Sequence, residues 1–318
     1  MESIKEKFEK GRINNTFLRV DAKHNTDIFI GCEKNGREAM VIQSRGSIVK
    51  VGKIDSTKLI EAILVKEQGG KTSLSFVLKD SDDYNIFLKF CEDIIESSRS
   101  LNTDKVIEFI IKRWDEWRSI FKNIKNEILS EPQIIGLLGE LVFLGEYMIP
   151  KYGEKAAIES WQGPEMLHKD FEIFDTWYEV KTKLLASVSV KISSIEQLDS
   201  DLIGNLAILS YEKTNSLNEY SIDLNMYIKY LETSLDSYDL KLMLLNKLSK
   251  IGYNYDERYT AFNYKFSSLK LFKIDEDFPR LKRESLINGI IKANYEISTE
   301  AIKKLKYEEV GINEFTRI

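Results

Sequence analysis

Apolar and polar positions change rhythm three times along the chain. Between residues 15 and 80 the rhythm is that of short strands. Asp27-Ile28-Phe29-Ile30-Gly31-Cys32 and Ala39-Met40-Val41-Ile42 flank the turn Lys34-Asn35-Gly36, and Ser73-Leu74-Ser75-Phe76-Val77-Leu78 alternates as a half-buried strand does. From about residue 82 to 128 the spacing becomes helical. Phe87, Phe90, Ile94 and Ile95 share one stripe, and Ile107, Phe109, Ile110, Trp114 and Trp117 share another. Those tryptophans are expected in helix packing.

A marked helix start follows. Ser130-Glu131-Pro132-Gln133 is a capping box with proline near the first turn. The helix beyond it, residues 134–144, is apolar nearly all round and is expected to be buried. Glu140 is its lone charge, and a buried carboxylate needs a cation, hydrogen bonds or a metal. Residues 170–174 and 177–183 then read as a hairpin joined through Asp175-Thr176. A third strand is expected at 188–192, a capped helix at 194–198 and a fourth strand at 206–211. The order over residues 130–212 is therefore α-β-β-β-α-β. The tail predicts a helix at 239–250, strands at 260–266 and 272–274, a charged loop at 277–283 and amphipathic material to about 306.

Composition narrows the chemistry. The 318 residues carry 46 Lys+Arg against 51 Asp+Glu, a net charge of −5, so any nucleic-acid contact must come from a local patch. Two histidines, His24 and His168, and two cysteines, Cys32 and Cys91, exclude multi-histidine metal sites, iron–sulfur ligation and a disulfide framework. Metal chemistry would fall to carboxylates, which favour Mg²⁺, Mn²⁺ or Ca²⁺. The first residues lack an apolar core, so no signal peptide is expected. No run reaches ~18 apolar residues, so neither is a membrane span, and a cytoplasmic location is the expectation.

Three polar residues stand out: Asp170, Glu179 and Lys181. Side chains two apart on a strand share a face, so Glu179 and Lys181 point together, with Trp177 and Lys183. If Asp170 lies on the paired strand, two carboxylates converge on one cation, and waters and a phosphate oxygen complete its shell. The metal could polarise a phosphodiester, and Lys181 could offset transition-state charge. The acid-x-Lys triplet alone is common; it recurs as Asp21-Ala22-Lys23 and Asp239-Leu240-Lys241. Only the copy at 179–181 sits in an apolar strand after a hairpin. The alternative there is a cross-strand ion-pair stripe on a half-exposed sheet.

The spacing Asp170-x8-Glu179-Val180-Lys181 within that element order resembles the PD-(D/E)XK nuclease superfamily, with its restriction-endonuclease-like fold. The stretches 136–141, 160–164, 178–182, 193–198 and 277–281 together resemble a bacterial PD-(D/E)XK family associated with restriction–modification and phage-defence loci. The resemblance implies an α/β protein: a mixed-sheet core over residues 129–232, a β-rich region at 1–128 ending in helices, and an α/β extension at 233–318. It implies Asp170, Glu179 and Glu140 at the metal, Lys181 as catalytic lysine, and Gln197 as a supporting glutamine. Ser194-x-x-Gln197 is equally a capping box. Lys169 stands where the motif's namesake proline would be. Expected nucleic-acid contacts are His168, Lys183, Lys191, Arg280, Lys282 and Arg283. The implied activity is Mg²⁺-dependent (or Mn²⁺-dependent) hydrolysis of DNA, with other defence proteins or a second copy as partners. The competing reading is a non-catalytic module of this fold that binds nucleic acid or assembles a defence complex.

Overall fold

A computed structural model describes residues 3–44, 54–66, 70–101, 103–124, 127–165 and 167–312. The chain forms two compact units, residues 1–125 and 126–318.

In the first unit, helix α1 (Ile4–Asn14) precedes β1 (Phe17–Arg19), β2 (Asp27–Cys32), β3 (Glu38–Ser44), β4 (Ile60–Lys66) and β5 (Thr72–Leu78). These strands form an antiparallel sheet of order β1-β2-β3-β5-β4. Gly36 makes the expected turn, with φ at +84°, where a side chain would be strained. Helices α2 (Tyr84–Ser97) and α3 (Thr103–Asn123) follow. Trp114 and Trp117 are fully buried, as the helical spacing requires, and Trp117 donates to Asp93 beside the buried Arg113. Cys32 and Cys91 are buried and unlinked.

The second unit opens with α4 (Glu131–Phe143), whose Gln133 side chain accepts from the Ser130 N–H at 3.0 Å. A π-turn at Leu144–Met148 leads into α5 (Ile149–Tyr152), then α6 (Glu154–Ser160). One stretch, Glu131–Tyr152, is long and apolar enough to cross a membrane, contrary to the count of apolar runs; 61% of it is buried inside the protein, as befits a core helix. After α6 come β6 (Phe171–Ile173), β7 (Thr176–Leu184), β8 (Ser189–Ile192) and β9 (Ile203–Thr214). Helices α7 (Leu224–Ser234) and α8 (Tyr238–Ile251) precede β10 (Asn263–Ile274), β11 (Tyr295–Ser298), α9 (Thr299–Ile302) and β12 (Tyr307–Val310).

The main sheet runs β12-β10-β9-β7-β6, with β7 and β9 parallel and the other pairs antiparallel. One face carries Tyr178, Val180, Ala207 and Leu209, packed in a core with Leu138, Leu141 and Val142 of α4. The other carries Trp177, Leu206, Ile208 and Phe272, packed with Val190 and Ile192 of β8 and Ile297 of β11. The fold is thus mixed α/β with a mixed sheet.

Several expectations differ in detail. The third strand, β8, leaves the main sheet and pairs with β11 instead. The expected helix at 194–198 is only a 3₁₀ turn, Ile195–Gln197. Its continuation is pre-empted: Lys169 takes the carbonyls of Glu196 and Asp199, and Arg280 takes that of Leu198. Residues 257–261 are a 3₁₀ helix, and the two tail strands expected apart are one strand, β10, carrying a bulge between Phe266 and Ser268. Helix α7 had no sequence expectation.

Candidate active site

Strand β7 is second from the sheet edge and covered on both faces, as a strand in a parallel pairing usually is. Glu179 is 0% exposed and Trp177 1% on one face, and Tyr178 and Val180 are buried on the other. That removes the half-exposed ion-pair stripe: the acid-x-Lys pair is inside the protein.

Asp170 directly precedes β6. Phe171 pairs with Tyr178, so one further step of the antiparallel register sets Asp170 opposite Glu179. Its Oδ2 accepts from the Val180 N–H at 2.7 Å, which ties the loop carboxylate to the middle of β7. Lys181 Nζ donates to Glu179 Oε1 at 2.6 Å. Glu179 Oε2 is buried with no hydrogen-bond partner.

Glu140 arrives from α4. Gly139 lets that helix touch β7, since a Cβ there would run into the Thr182 methyl. Glu140 Oε2 accepts from Trp161 Nε1 at 2.7 Å. A Cβ at Gly163 would strike the same oxygen, so the stretch Ser160-Trp161-Gln162-Gly163-Pro164 forms a close cradle around this carboxylate. Glu140 and Asp170 keep a partly accessible surface.

The electrostatics are those of crowded acids. Burial, then the charge of Asp170, pushes Glu179 up to about 8, against the pull of Lys181. Burial raises Asp170, with Lys181 and the Val180 N–H opposing. Burial and Asp170 hold Glu140 well above the usual carboxylate range. Burial draws Lys181 down, but the charges of Glu179 and Asp170 outweigh it and its pKa is raised. Three carboxylates that resist ionising together, one with an orphaned oxygen, form a place where an added cation lowers the energy. All donors are hard oxygens, which suits Mg²⁺ or Mn²⁺. Among the described residues, no three His, Cys, Asp or Glu side chains stand close enough to share one ion. Asp170 and Glu179, opposite each other across the β6–β7 register and close enough for the charge of one to act on the other, could hold an ion as a pair, and other positions would fall to water or substrate oxygen.

The structure thus brings together Glu140, Asp170, Glu179 and Lys181. It does not recruit Gln197, whose Oε1 accepts from the Ser193 N–H at 2.7 Å and serves the local turn. It also reassigns most of the expected contact residues. Lys183 donates to the carbonyls of Leu184, Leu185 and Ser187. Lys282 pairs with Glu276, and Arg283 with Glu196, so the basic loop is internally neutralised. Arg280 is committed to the Leu198 carbonyl at 2.8 Å. Lys191 is exposed opposite Glu296 on the β8–β11 ribbon, and His168 is exposed in the loop before Asp170.

Two residues around the site were given no role from the sequence. Trp161 holds Glu140; its place in the 160–164 stretch was the available signal. Lys169 lies with Nζ 3.8 Å from the Trp177 ring centroid, and burial lowers its pKa to about 8, with Glu179 opposing. No pattern in the sequence marks a buried lysine of this kind.

A family model described as "Putative PD-(D/E)XK family member" matches residues 4–300. No curated protein and no solved structure matches the chain.

Proposed function

Because the chain belongs to this PD-(D/E)XK family, whose members have a nuclease-like fold, we propose that it is a divalent-metal-dependent endonuclease hydrolysing DNA phosphodiester bonds. Asp170, Glu179 and Lys181 are its site. The observation that supports the reading best is Glu179: fully buried, with one oxygen held by Lys181 and the other unpartnered beside Asp170. A structural carboxylate would have both oxygens satisfied.

A Mg²⁺ or Mn²⁺ held by Asp170 and Glu179 would polarise the scissile phosphate and lower the pKa of a bound water. The chain's own groups do the rest. Val180 N–H fixes the Asp170 carboxylate. Lys181, hydrogen-bonded to Glu179, presents a positive charge on the same strand face, where it would donate to a non-bridging phosphate oxygen and offset the charge that grows in the transition state. Trp161 holds the Glu140 carboxyl in place behind the pair. The resemblance to a family of restriction–modification and phage-defence loci supports a role in such a bacterial system, and we propose the cytoplasm as its location.

One observation favours the competing reading, a module that binds nucleic acid or assembles a complex without cutting. The loop at 280–283 spends its charges on its own neighbours, and the net charge is −5. Plasmid cleavage separates the two. Purified protein with Mg²⁺ or Mn²⁺ should nick or linearise DNA, EDTA should stop it, and a folded Lys181→Ala variant should be inactive. No cleavage by the wild-type protein on any DNA form would favour the binding module.

A further inference from the structure

On the face of the main sheet that carries Glu179, the rows change character step by step. Glu179 lies beside Leu206 and Phe272; Lys181 lies beside Ile208 and Lys270; Lys183 lies beside Ser210 and Ser268. Ile208, Lys270 and the whole last row, though not Lys181, line a cavity of about 350 Å³, together with Lys303 and Thr299. Glu300 is the lone acid on that lining and pairs with Lys303 at 3.0 Å.

Three ammonium groups stand around one small cavity whose other walls are largely apolar, among them Val188, Ile208 and Phe272, and they repel one another. Lys183 is lowered by burial first, then by the charges of Lys303 and Lys270. Its three protons are taken by backbone carbonyls, so it contributes field and not a movable donor. Among the described residues, the Lys270 ammonium hydrogen-bonds only the Tyr307 hydroxyl at 3.3 Å and lies over its ring, with Glu309 opposite it on β12, and the Lys303 ammonium pairs only with the exposed Glu300. Both can turn towards a ligand. The serine and threonine hydroxyls add neutral donors. Such a cavity suits a compact, multiply accepting anion.

We propose that this cavity binds a phosphate group of the nucleic-acid substrate, next to the catalytic strand. Lys270 and Lys303 are the donors, and Lys183 supplies fixed positive charge. The inference deepens the nuclease reading and rests on it for the identity of the ligand. The strand rise places Lys183 ~7 Å beyond Lys181, so the phosphate held there flanks the one at the site. The phosphate comes either from within the strand or from a 5′ end.

The test is binding of a fluorescent single-stranded oligonucleotide to the full chain in EDTA, over a series of salt concentrations. The double variant Lys270→Gln/Lys303→Gln should bind roughly 25-fold more weakly at 0.1 M salt. Its salt slope should fall by about 1.4, the value for two counterions on a single strand. A control, Lys155→Gln/Lys229→Gln, makes the same change of charge on exposed lysines elsewhere and should bind as the wild type does. An oligonucleotide with a 5′-phosphate that competes far better than its 5′-hydroxyl form assigns the end phosphate; equal competition assigns the internal one. Equal losses in both double variants, unchanged binding in the first, or no binding by the wild type would overturn the proposal. The two readings fail separately. Lysine-dependent binding without cleavage sinks the nuclease reading alone, and metal-dependent cleavage with normal binding by the lysine variant sinks the cavity alone.

Discussion

Lys181 Nζ sits 2.6 Å from Glu179 Oε1, while the other oxygen of that buried carboxylate has no partner. One ion pair thus stabilises only half of the group. The pKa near 8 expresses the shortfall. A carboxyl raised from 4.5 to about 8 binds its proton more tightly folded than unfolded. Its stabilising contribution is full below pH 4.5 and is lost as pH rises towards 8, at about 1.4 kcal/mol for each pH unit crossed. The metal-free protein should melt lower at pH 8 than Glu179→Gln does, and the gap should close by pH 4.5. Thermal melts of both proteins across that range check this; a constant gap would contradict it.

Cation binding should show the opposite trend. A protonated Glu179 is a poor ligand, so Mg²⁺ or Mn²⁺ should raise the melting temperature at pH 8.5 more than at pH 5.5. Asp170→Asn and Glu179→Gln should each abolish the effect. Calorimetric titration with Mn²⁺ gives a second readout. Undiminished binding in both variants would place the metal elsewhere.

Trp161 donates its indole N–H to Glu140. Trp161→Phe keeps most of the ring volume and removes that N–H. The loss should cost about 1 kcal/mol by removing the donor of a partly buried acceptor. Glu140→Gln in the same background should recover part of it, because the amide carries no charge. Denaturant melts of the four proteins in the cycle give the coupling directly, and simple additivity would mean the contact contributes nothing.

Gly139 and Thr182 set how closely α4 can approach β7. Gly139→Ala should destabilise by about 1–3 kcal/mol through overpacking, despite alanine's better helix propensity. Thr182→Ser removes the obstructing methyl and should rescue most of the loss. Cleavage should fall with Gly139→Ala as well, since the displaced helix carries Glu140. A stabilised Gly139→Ala protein would show that the helix moves freely.

Phe174 occupies the first position of the two-residue β6–β7 turn with φ at +50°, and is 84% exposed. A bulky residue is strained there, and little packing offsets the strain. Phe174→Gly should therefore stabilise the protein by about 1 kcal/mol, read as a higher melting temperature. A lower one would mean that the ring's contact with Tyr152 matters more.

The site was legible because its residues follow one another closely along the chain. The hairpin, the face shared by Glu179 and Lys181 and the apolar helix around Glu140 all follow from local periodicity. What escaped depends on residues far apart. Strand β8 reads as a sheet strand locally, but its partner, β11, lies about a hundred residues later. The helix expected at 194–198 carries a capping pattern, yet Ser194 makes no side-chain cap bond and the carbonyls go to Lys169 and Arg280, which no local pattern reveals. The basic run at 280–283 resembles a contact patch until the acids at 196 and 276 fold against it. Gln197 was expected beside the metal as a supporting glutamine, with a capping role as the alternative; its side chain instead accepts from the Ser193 N–H in the local turn.

The order β12-β10-β9-β7-β6 has a consequence for synthesis on the ribosome. The strand bearing Glu179 and Lys181 pairs with β9, but β9's other edge is filled only by β10, which begins at Asn263. A nascent chain that has delivered all four site residues still has an open sheet edge and half of one hydrophobic face uncovered. The site is therefore assembled only after the chain beyond Asn263 begins to emerge. Premature termination before that point should leave an aggregation-prone fragment instead of a small active nuclease.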